Sequence, residues 1–315
     1  MDSETPLSLP TIEFSTKLKP GTPEWDSVKG QVRQALGEFG CFEALFDKVP
    51  LDTRKALSDT LKELFDLPLE AKHNTYNLEK PYLGYVGQLP FTPLYECLAI
   101  EDPTDHEKVE TLSAKMWTQG KQSFCKSIES YSDQLSELDQ TIRKMVLEIL
   151  GLDKYLEEHM EESHYILRVM VYHAPETTET AMGLLPHTDK TLVSILSQLN
   201  DVVGLDVETK DGQWINVKPA PNSFIVMFGD LFYAWSNGKV HAPRHRVLMK
   251  GNEARYSAGL FSVTKDKYLI KAPEEVVDEQ HPLLFKPFGL EEFLKFYYSE
   301  VGMKSGNAMK VYCAI

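Results

Sequence analysis

Positive charge is scarce in this chain: 33 Lys and Arg stand against 47 Asp and Glu, a net charge of −14 over 315 residues. A nucleic-acid partner needs a cationic face to displace counterions, and no basic run is present, so that class is set aside. Long apolar runs are missing too. No stretch approaches the roughly 18 residues a membrane helix needs, and the opening MDSETPLSLPTIEF has no basic segment leading into an apolar one. No membrane role and no export signal are therefore expected, and the cytoplasm is the predicted compartment. The four cysteines, Cys41, Cys97, Cys125 and Cys313, are far apart and form no CxxC pair, which excludes a thiolate zinc site or a disulfide framework and suits reduced thiols. Cys313 stands third from the end, so YCAI is not a prenylation box. GxSxG, P-loop and HExxH motifs are absent, which argues against a hydrolase.

What remains is an ordinary globular composition, 42% hydrophobic and 25% charged. The length favours one large core with appended elements. We divide it into an N-terminal region over 1–158 with a long backbone helix, a β core over 159–266 and a C-terminal helical extension over 267–315. LPTIEF reads as a short strand. Thr22, Pro23 and Glu24 then resemble a capped helix start, and Trp25, Val28, Val32, Ala35, Leu36 and Phe39 continue with helical spacing. A second helix is predicted after Asp52 on Leu57, Leu61, Leu64 and Phe65, stopped by Pro68. Over 121–150, Phe124, Ile128, Tyr131, Leu135, Leu138, Ile142 and Met145 alternate steps of four and three before Gly151. A coiled-coil seam would want further heptads with paired e and g charges, so a helix lying against a sheet is expected. Region 80–120, irregular, aromatic and rich in Gly and Pro, is expected to be a long covering loop.

From residue 164 the chain becomes a series of short β-rich runs separated by turn signals: YILRVMVYH, TLVSILSQL, NSFIVMFGD, HRVLMK, RYSAGLFSV. After 266 it returns to helix, clearest in GLEEFLKFYYSEV. The expected fold class is mainly β with flanking α, a sandwich or barrel core of which the double-sheet jelly roll is the usual open-mouthed container.

His187-Thr188-Asp189 is the only His-x-Asp in the chain and opens a β-run, so period 2 points both side chains to one side. Alone it is equally the end of a surface strand. His159-Met160-Glu161 has the same pattern, but in a helical stretch, where residues two apart diverge by about 200° and cannot share an ion. Further imidazoles, His241 and His245, arrive from another strand region. Two His and one carboxylate on one face of Fe(II) leave open positions for a chelating cosubstrate and O2. Arg255 and Ser257 share a strand face; a guanidinium beside a hydroxyl suits a carboxylate, although a structural salt bridge is the other reading.

Over nearly its whole length the chain resembles the plant iron(II) and 2-oxoglutarate-dependent dioxygenase superfamily, through LPTIEF, EFGCFEA, LPLEAKH, HTDKTLVSIL, VGLDVETKDGQWINVKP, NSFIVMFGD, SNGKVHAPRHRV and EARYSAGLF. The resemblance implies a double-stranded β-helix, or jelly roll, with the metal in its mouth. His187, Asp189 and His245 would be the ligands: the family's distal His precedes Arg-Val and lies ten residues before the RxS arginine, as His245 does and His241 does not. Arg255, Ser257 and Tyr172 would receive the far carboxylate of 2-oxoglutarate. Met170 stands where relatives have Asn in the N-Y-Y-P-P run, so a hydrogen bond typical of them is expected to be absent. Fe(II), 2-oxoglutarate and O2 are the implied cofactor and cosubstrates, with ascorbate as reductant and succinate and CO2 as products.

The substrate is less defined. Phe261 shares the Arg255 face, and Phe232, Tyr233, Tyr85, Phe91 and Tyr95 come from segments expected to roof the mouth; with Met170 they suggest a pocket for a small hydrophobic molecule. No unassigned cationic cluster marks a second anionic ligand. LKPGTPEWDSVKGQVRQALGEFGCFEA and VVDEQHPLLFKPFGLEEFLKFYY resemble the branch of glucosinolate side-chain dioxygenases, which implies plant specialised metabolism and hydroxylation, desaturation or ring closure. Hormone oxidation of the auxin or gibberellin type, and a non-catalytic binding relative, are the alternatives. A monomer is expected.

Overall fold

A computed structural model describes residues 7–15, 18–177 and 179–315. The strands are β1 (Thr11–Phe14), β2 (Cys41–Phe46), β3 (Gly84–Leu89), β4 (Thr92–Glu101), β5 (Ser163–Tyr172), β6 (Ala181–His187), β7 (Val193–Gln198), β8 (Leu205–Glu208), β9 (Trp214–Asn216), β10 (Ser223–Phe228), β11 (His245–Met249), β12 (Arg255–Thr264), β13 (Leu269–Ile270) and β14 (Phe288–Gly289). Eight form a major sheet in the order β1-β2-β10-β7-β12-β5-β4-β3, and four a minor sheet, β6-β11-β8-β9. Buried side chains from both sheets meet between them: Cys41, Ile225 and Met227 with Leu205, Val207 and Ile215, and Cys97, Met170 and Tyr172 with Val247 and Met249. This is a jelly-roll sandwich. Strands from both sides of residue 158 share its major sheet.

The helices are α1 (Pro23–Glu38), α2 (Leu51–Phe65), α3 (Leu69–His73), α4 (His106–Met116), α5 (Gln122–Leu150), α6 (Leu156–Glu161), α7 (Asp230–Trp235), α8 (Leu290–Tyr297), α9 (Glu300–Lys304) and α10 (Ala308–Cys313). The Thr22 hydroxyl caps α1 by accepting from the Trp25 amide at 3.3 Å, with Pro23 in the first turn. Gly151 ends α5 at φ 71°, a left-handed position glycine adopts without penalty. The four-and-three stripe of α5 is buried from Phe124 to Met145 against the major sheet and neighbouring helices, as the helix-on-sheet reading expected. A polar anchor accompanies it. Asp139 receives the Arg143 guanidinium at 2.7 Å, the Tyr165 hydroxyl at 2.8 Å and the Ser262 hydroxyl at 3.1 Å, tying α5 to β5 and β12.

Region 80–120 departs from the expected covering loop. Gly84–Leu89 and Thr92–Glu101 pair as an antiparallel hairpin that extends the major sheet beyond β5, and α4 follows. Pro93 is tolerated because it precedes the register with β5, which starts at Tyr95↔Tyr172.

Candidate metal centre

The ligand triad is assembled by strand pairing. His245, first residue of β11, lies directly across from His187, last residue of β6. Their rings sit 4.2 Å apart between centroids. Asp189 lies two residues beyond the strand end, and its Oδ1 is 3.6 Å from His187 Nε2 and 3.7 Å from His245 Nε2. All three ligand atoms fall within 4.8 Å of one another. Backbone carbonyls set the imidazole tautomers: His187 Nδ1 faces Leu185 O at 2.8 Å and His245 Nδ1 faces Pro243 O at 3.4 Å, so both Nε2 lone pairs are left for a common partner.

Electrostatics leaves Asp189 and His245 in their ligating states. Burial alone would raise the Asp189 carboxyl, but His245 and His187 outweigh it and hold the group well below the usual carboxylate range. Burial, then the charge of His187, pushes His245 down to about 4. Near neutral pH His245 is therefore a neutral imidazole and Asp189 a carboxylate. Among the described residues the buried Asp189 Oδ2 has no hydrogen-bond partner, an orphan that a cation would satisfy. These residues fit a borderline, oxygen- and nitrogen-seeking divalent ion such as iron(II).

The loop between the ligands is braced from α7. Lys190 pairs with Asp230 at 2.9 Å and lies over the Tyr297 ring, 4.5 Å from its centroid. Thr188 donates to the same Asp230 at 3.0 Å, and the Asp230 amide donates to Asp189 O at 2.8 Å.

The triad opens onto a cavity of about 850 Å³, of the size that holds a cosubstrate and a small organic molecule together. Arg255 and Ser257 reach its wall from β12, and Arg255 Nη1 donates to Ser257 Oγ at 3.1 Å. Arg255 is 5% exposed, pairs with no acid among the described residues, and has its Nε buried without an acceptor. Its guanidinium stands 5.4 Å from the centroid of Tyr172, across from it in register. Among the described residues the Tyr172 hydroxyl has only the Met170 sulfur to donate to, at 3.7 Å, where an amide would have offered a stronger partner.

Met170, Phe261, Tyr85, Phe91 and Tyr95 line the cavity. Phe232 and Tyr233 do not, which corrects the sequence reading. Both sit on α7, whose apolar side turns inward: Phe232 is fully buried against Phe228 and Trp235, and Tyr233 packs edge-on to Phe285. His241 lies outside the triad, its backbone against Gly40. Several lining residues went unrecognised. Tyr297 and Tyr298 from the α8 end and Arg168 from β5 face the same space. Behind Tyr85, the Glu96 carboxylate accepts from the Tyr85 hydroxyl at 2.6 Å, from Lys72 at 2.7 Å and meets His173 at 2.7 Å; burial opposes but these partners hold it at about 2.

A jelly roll with a His-Asp-His face at its mouth defines a non-haem iron oxygenase, and the comparisons agree. The chain matches the 2OG-Fe(II) oxygenase superfamily over residues 161–264 and the non-haem dioxygenase in morphine synthesis N-terminal region over 9–117. It is 41% identical over 315 residues to the "Probable 2-oxoglutarate-dependent dioxygenase AOP1.2" of Arabidopsis thaliana, covering 98% of this chain and 96% of that one. The chain belongs to the 2OG-Fe(II) oxygenase superfamily and is a 2-oxoglutarate-dependent dioxygenase of the AOP1-like kind. Among solved structures it resembles the dioxygenase for auxin oxidation from rice, with TM-score 0.81, 26% identity and coverage of 98% and 100%. It also resembles JOX2 in complex with 2OG, Fe and JA, with TM-score 0.78, 25% identity and coverage of 93% and 85%. Among the described residues no helix is long and apolar enough to cross a membrane.

Proposed function

We propose that His187, Asp189 and His245 hold iron(II), that Arg255, Ser257 and Tyr172 receive the far carboxylate of 2-oxoglutarate, and that the chain oxidises a small, mainly hydrophobic plant specialised metabolite. The observation that carries this is Arg255: a guanidinium buried in the cavity wall, bonded to a serine hydroxyl and, among the described residues, to no acid. A charge so placed needs an anion, and the triad opens onto the same cavity.

Iron bound there would supply open positions at which a 2-oxo acid and O2 react, giving succinate, CO2 and oxidation of a C–H bond of the substrate. The chain's own contribution is positioning. The carbonyls of Leu185 and Pro243 fix the imidazoles, the Lys190–Asp230 pair holds the Asp189 loop, and the aromatic wall keeps water from the reacting centre. Whether a hydroxyl is added, a double bond formed or a ring closed follows from which C–H bonds that wall holds near the metal. The enzyme works as a cytoplasmic monomer with ascorbate keeping the iron reduced. Hormone oxidation is the second reading, favoured by the likeness to the rice auxin-oxidation dioxygenase.

Anaerobic addition of Fe(II) and 2-oxoglutarate should give a visible charge-transfer band, and admission of O2 with a metabolite panel should release succinate. His187→Ala should lose both signals and His241→Ala keep them. No band with the unaltered chain would refute the site; a band with no succinate release on any metabolite would mark a non-catalytic binder.

A further inference from the structure

The guanidinium of Arg255 has one donor that an anion in the cavity does not account for. Its Nε is buried with no acceptor among the described residues, while Nη1 donates to Ser257 Oγ at 3.1 Å. The rest of the side chain is enclosed. A Cβ added at Gly204 would stand 3.1 Å from Arg255 Cδ, and the guanidinium lies 5.4 Å from the Tyr172 ring centroid. A guanidinium holds its five donors in one rigid plane, so an acceptor on Nε sets the plane in which the two Nη groups meet a carboxylate.

A complementary orphan stands on the neighbouring strand. Gln198 Oε1 is buried and accepts no hydrogen bond among the described residues. Gln198 pairs in register with Ser257, which makes it the diagonal neighbour of Arg255 on the β7–β12 ladder, within reach of two long side chains. Both point to the cavity side of the sheet. Leu196, two residues before Gln198, lines the cavity, while Ser197 turns the other way to meet Tyr131 of α5. The other buried side-chain atoms that lack partners among the described residues are placed elsewhere: Ser132 and Gln134 on α5, His159 on α6, Thr264 at the far end of β12 and Asp189 in the triad. Leaving a buried donor and a buried acceptor both unpaired is costly, and rotation of the Gln198 amide satisfies the two at once.

We infer that Gln198 is a positioning residue of the cosubstrate site: its Oε1 accepts from Arg255 Nε and so turns the Nη edge of the fork to the far carboxylate of 2-oxoglutarate. This rests on the reading that Arg255 receives that carboxylate.

The test titrates anaerobic, Fe(II)-loaded protein with 2-oxoglutarate and with 2-oxopentanoate, which keeps the chelating end and lacks the far carboxylate; the charge-transfer band gives each affinity. The unaltered chain should favour 2-oxoglutarate, and Arg255→Met should remove most of that preference. Gln198→Met, which keeps the shape and removes the acceptor, should weaken 2-oxoglutarate by about tenfold, the scale of a hydrogen bond to a charged group, and leave 2-oxopentanoate unchanged. In the Arg255→Met background the same substitution should have no further effect. General damage to the strand would weaken both 2-oxo acids alike, and that result overturns the inference, as does an unchanged 2-oxoglutarate affinity in Gln198→Met. No preference in the unaltered chain, or one that survives Arg255→Met, refutes the cosubstrate reading of Arg255 itself and this inference with it. Should Gln198→Met not fold, a crystal structure of the unaltered chain with Fe(II) and 2-oxoglutarate decides: Gln198 Oε1 is expected within about 3.2 Å of Arg255 Nε, and an Nε without that contact overturns the role.

Discussion

Gly229→Ala should damage the metal site without touching a ligand. A Cβ at this position would stand 2.3 Å from Thr191 Oγ1, 2.4 Å from Thr191 O and 2.8 Å from Asp189 O. Backbone atoms cannot rotate away, so reaching ordinary contact requires the two segments to part by about 1 Å. Three backbone hydrogen bonds stitch these segments: Gly229 N to Leu192 O at 3.1 Å, Asp230 N to Asp189 O at 2.8 Å and Leu231 N to Thr191 O at 3.1 Å. Stretching them and overpacking the junction should cost about 2–3 kcal/mol of stability. The displaced Asp189 should weaken metal binding by roughly 10- to 100-fold, as losses of supporting contacts around metal ligands do. Fe(II) or Co(II) titration and thermal melting measure both effects. Gly37→Ala is the control, since its added methyl meets nothing within 4 Å on α1 and should stabilise the chain slightly. Unchanged metal affinity in Gly229→Ala, with melting as in the control, would refute the reasoning.

Arg255→Met should raise the 2-oxoglutarate concentration needed for half-maximal succinate release by about tenfold or more with iron affinity retained, because a charge-assisted carboxylate contact is lost; an unchanged requirement would remove Arg255 from the cosubstrate site. His159 gives a pH effect. Neither of its ring nitrogens has a hydrogen-bond partner among the described residues, its ring lies 4.2 Å from that of Trp235, and burial followed by the charge of Arg143 pushes it down to about 3. Below pH 6.5 the unfolded chain takes up a proton that the folded one refuses until about 3, so stability falls as pH drops through that window. The loss should reach about 2 kcal/mol at pH 5, and His159→Phe should flatten it in urea melts at pH 7 and 5. An unaltered pH slope would show that His159 is protonated in the fold.

Much of this could be read from the sequence where one local rule dominated. The α1 cap and the α5 stripe with its glycine terminus follow from spacing and turn chemistry, whereas His187 closes β6 instead of opening a strand and Asp189 lies in the loop beyond it. The β3–β4 hairpin was hidden because an edge hairpin tolerates Gly and Pro that would break a central strand, and so imitates a loop. Phe232 and Tyr233 were misplaced because α7 is apolar nearly all round, and nothing local says which side meets the cavity. Arg168 did leave a signal, a single charge inside the apolar run YILRVMVY, but that it faces the cavity is a property of the assembled walls.

The most direct test is an anomalous difference map at the iron edge from crystals grown anaerobically with Fe(II) and 2-oxoglutarate. One peak is expected among His187 Nε2, Asp189 and His245 Nε2, with the far carboxylate of 2-oxoglutarate on Arg255 and Ser257. Iron at any other group, His241 included, or that carboxylate on Arg168 would contradict it.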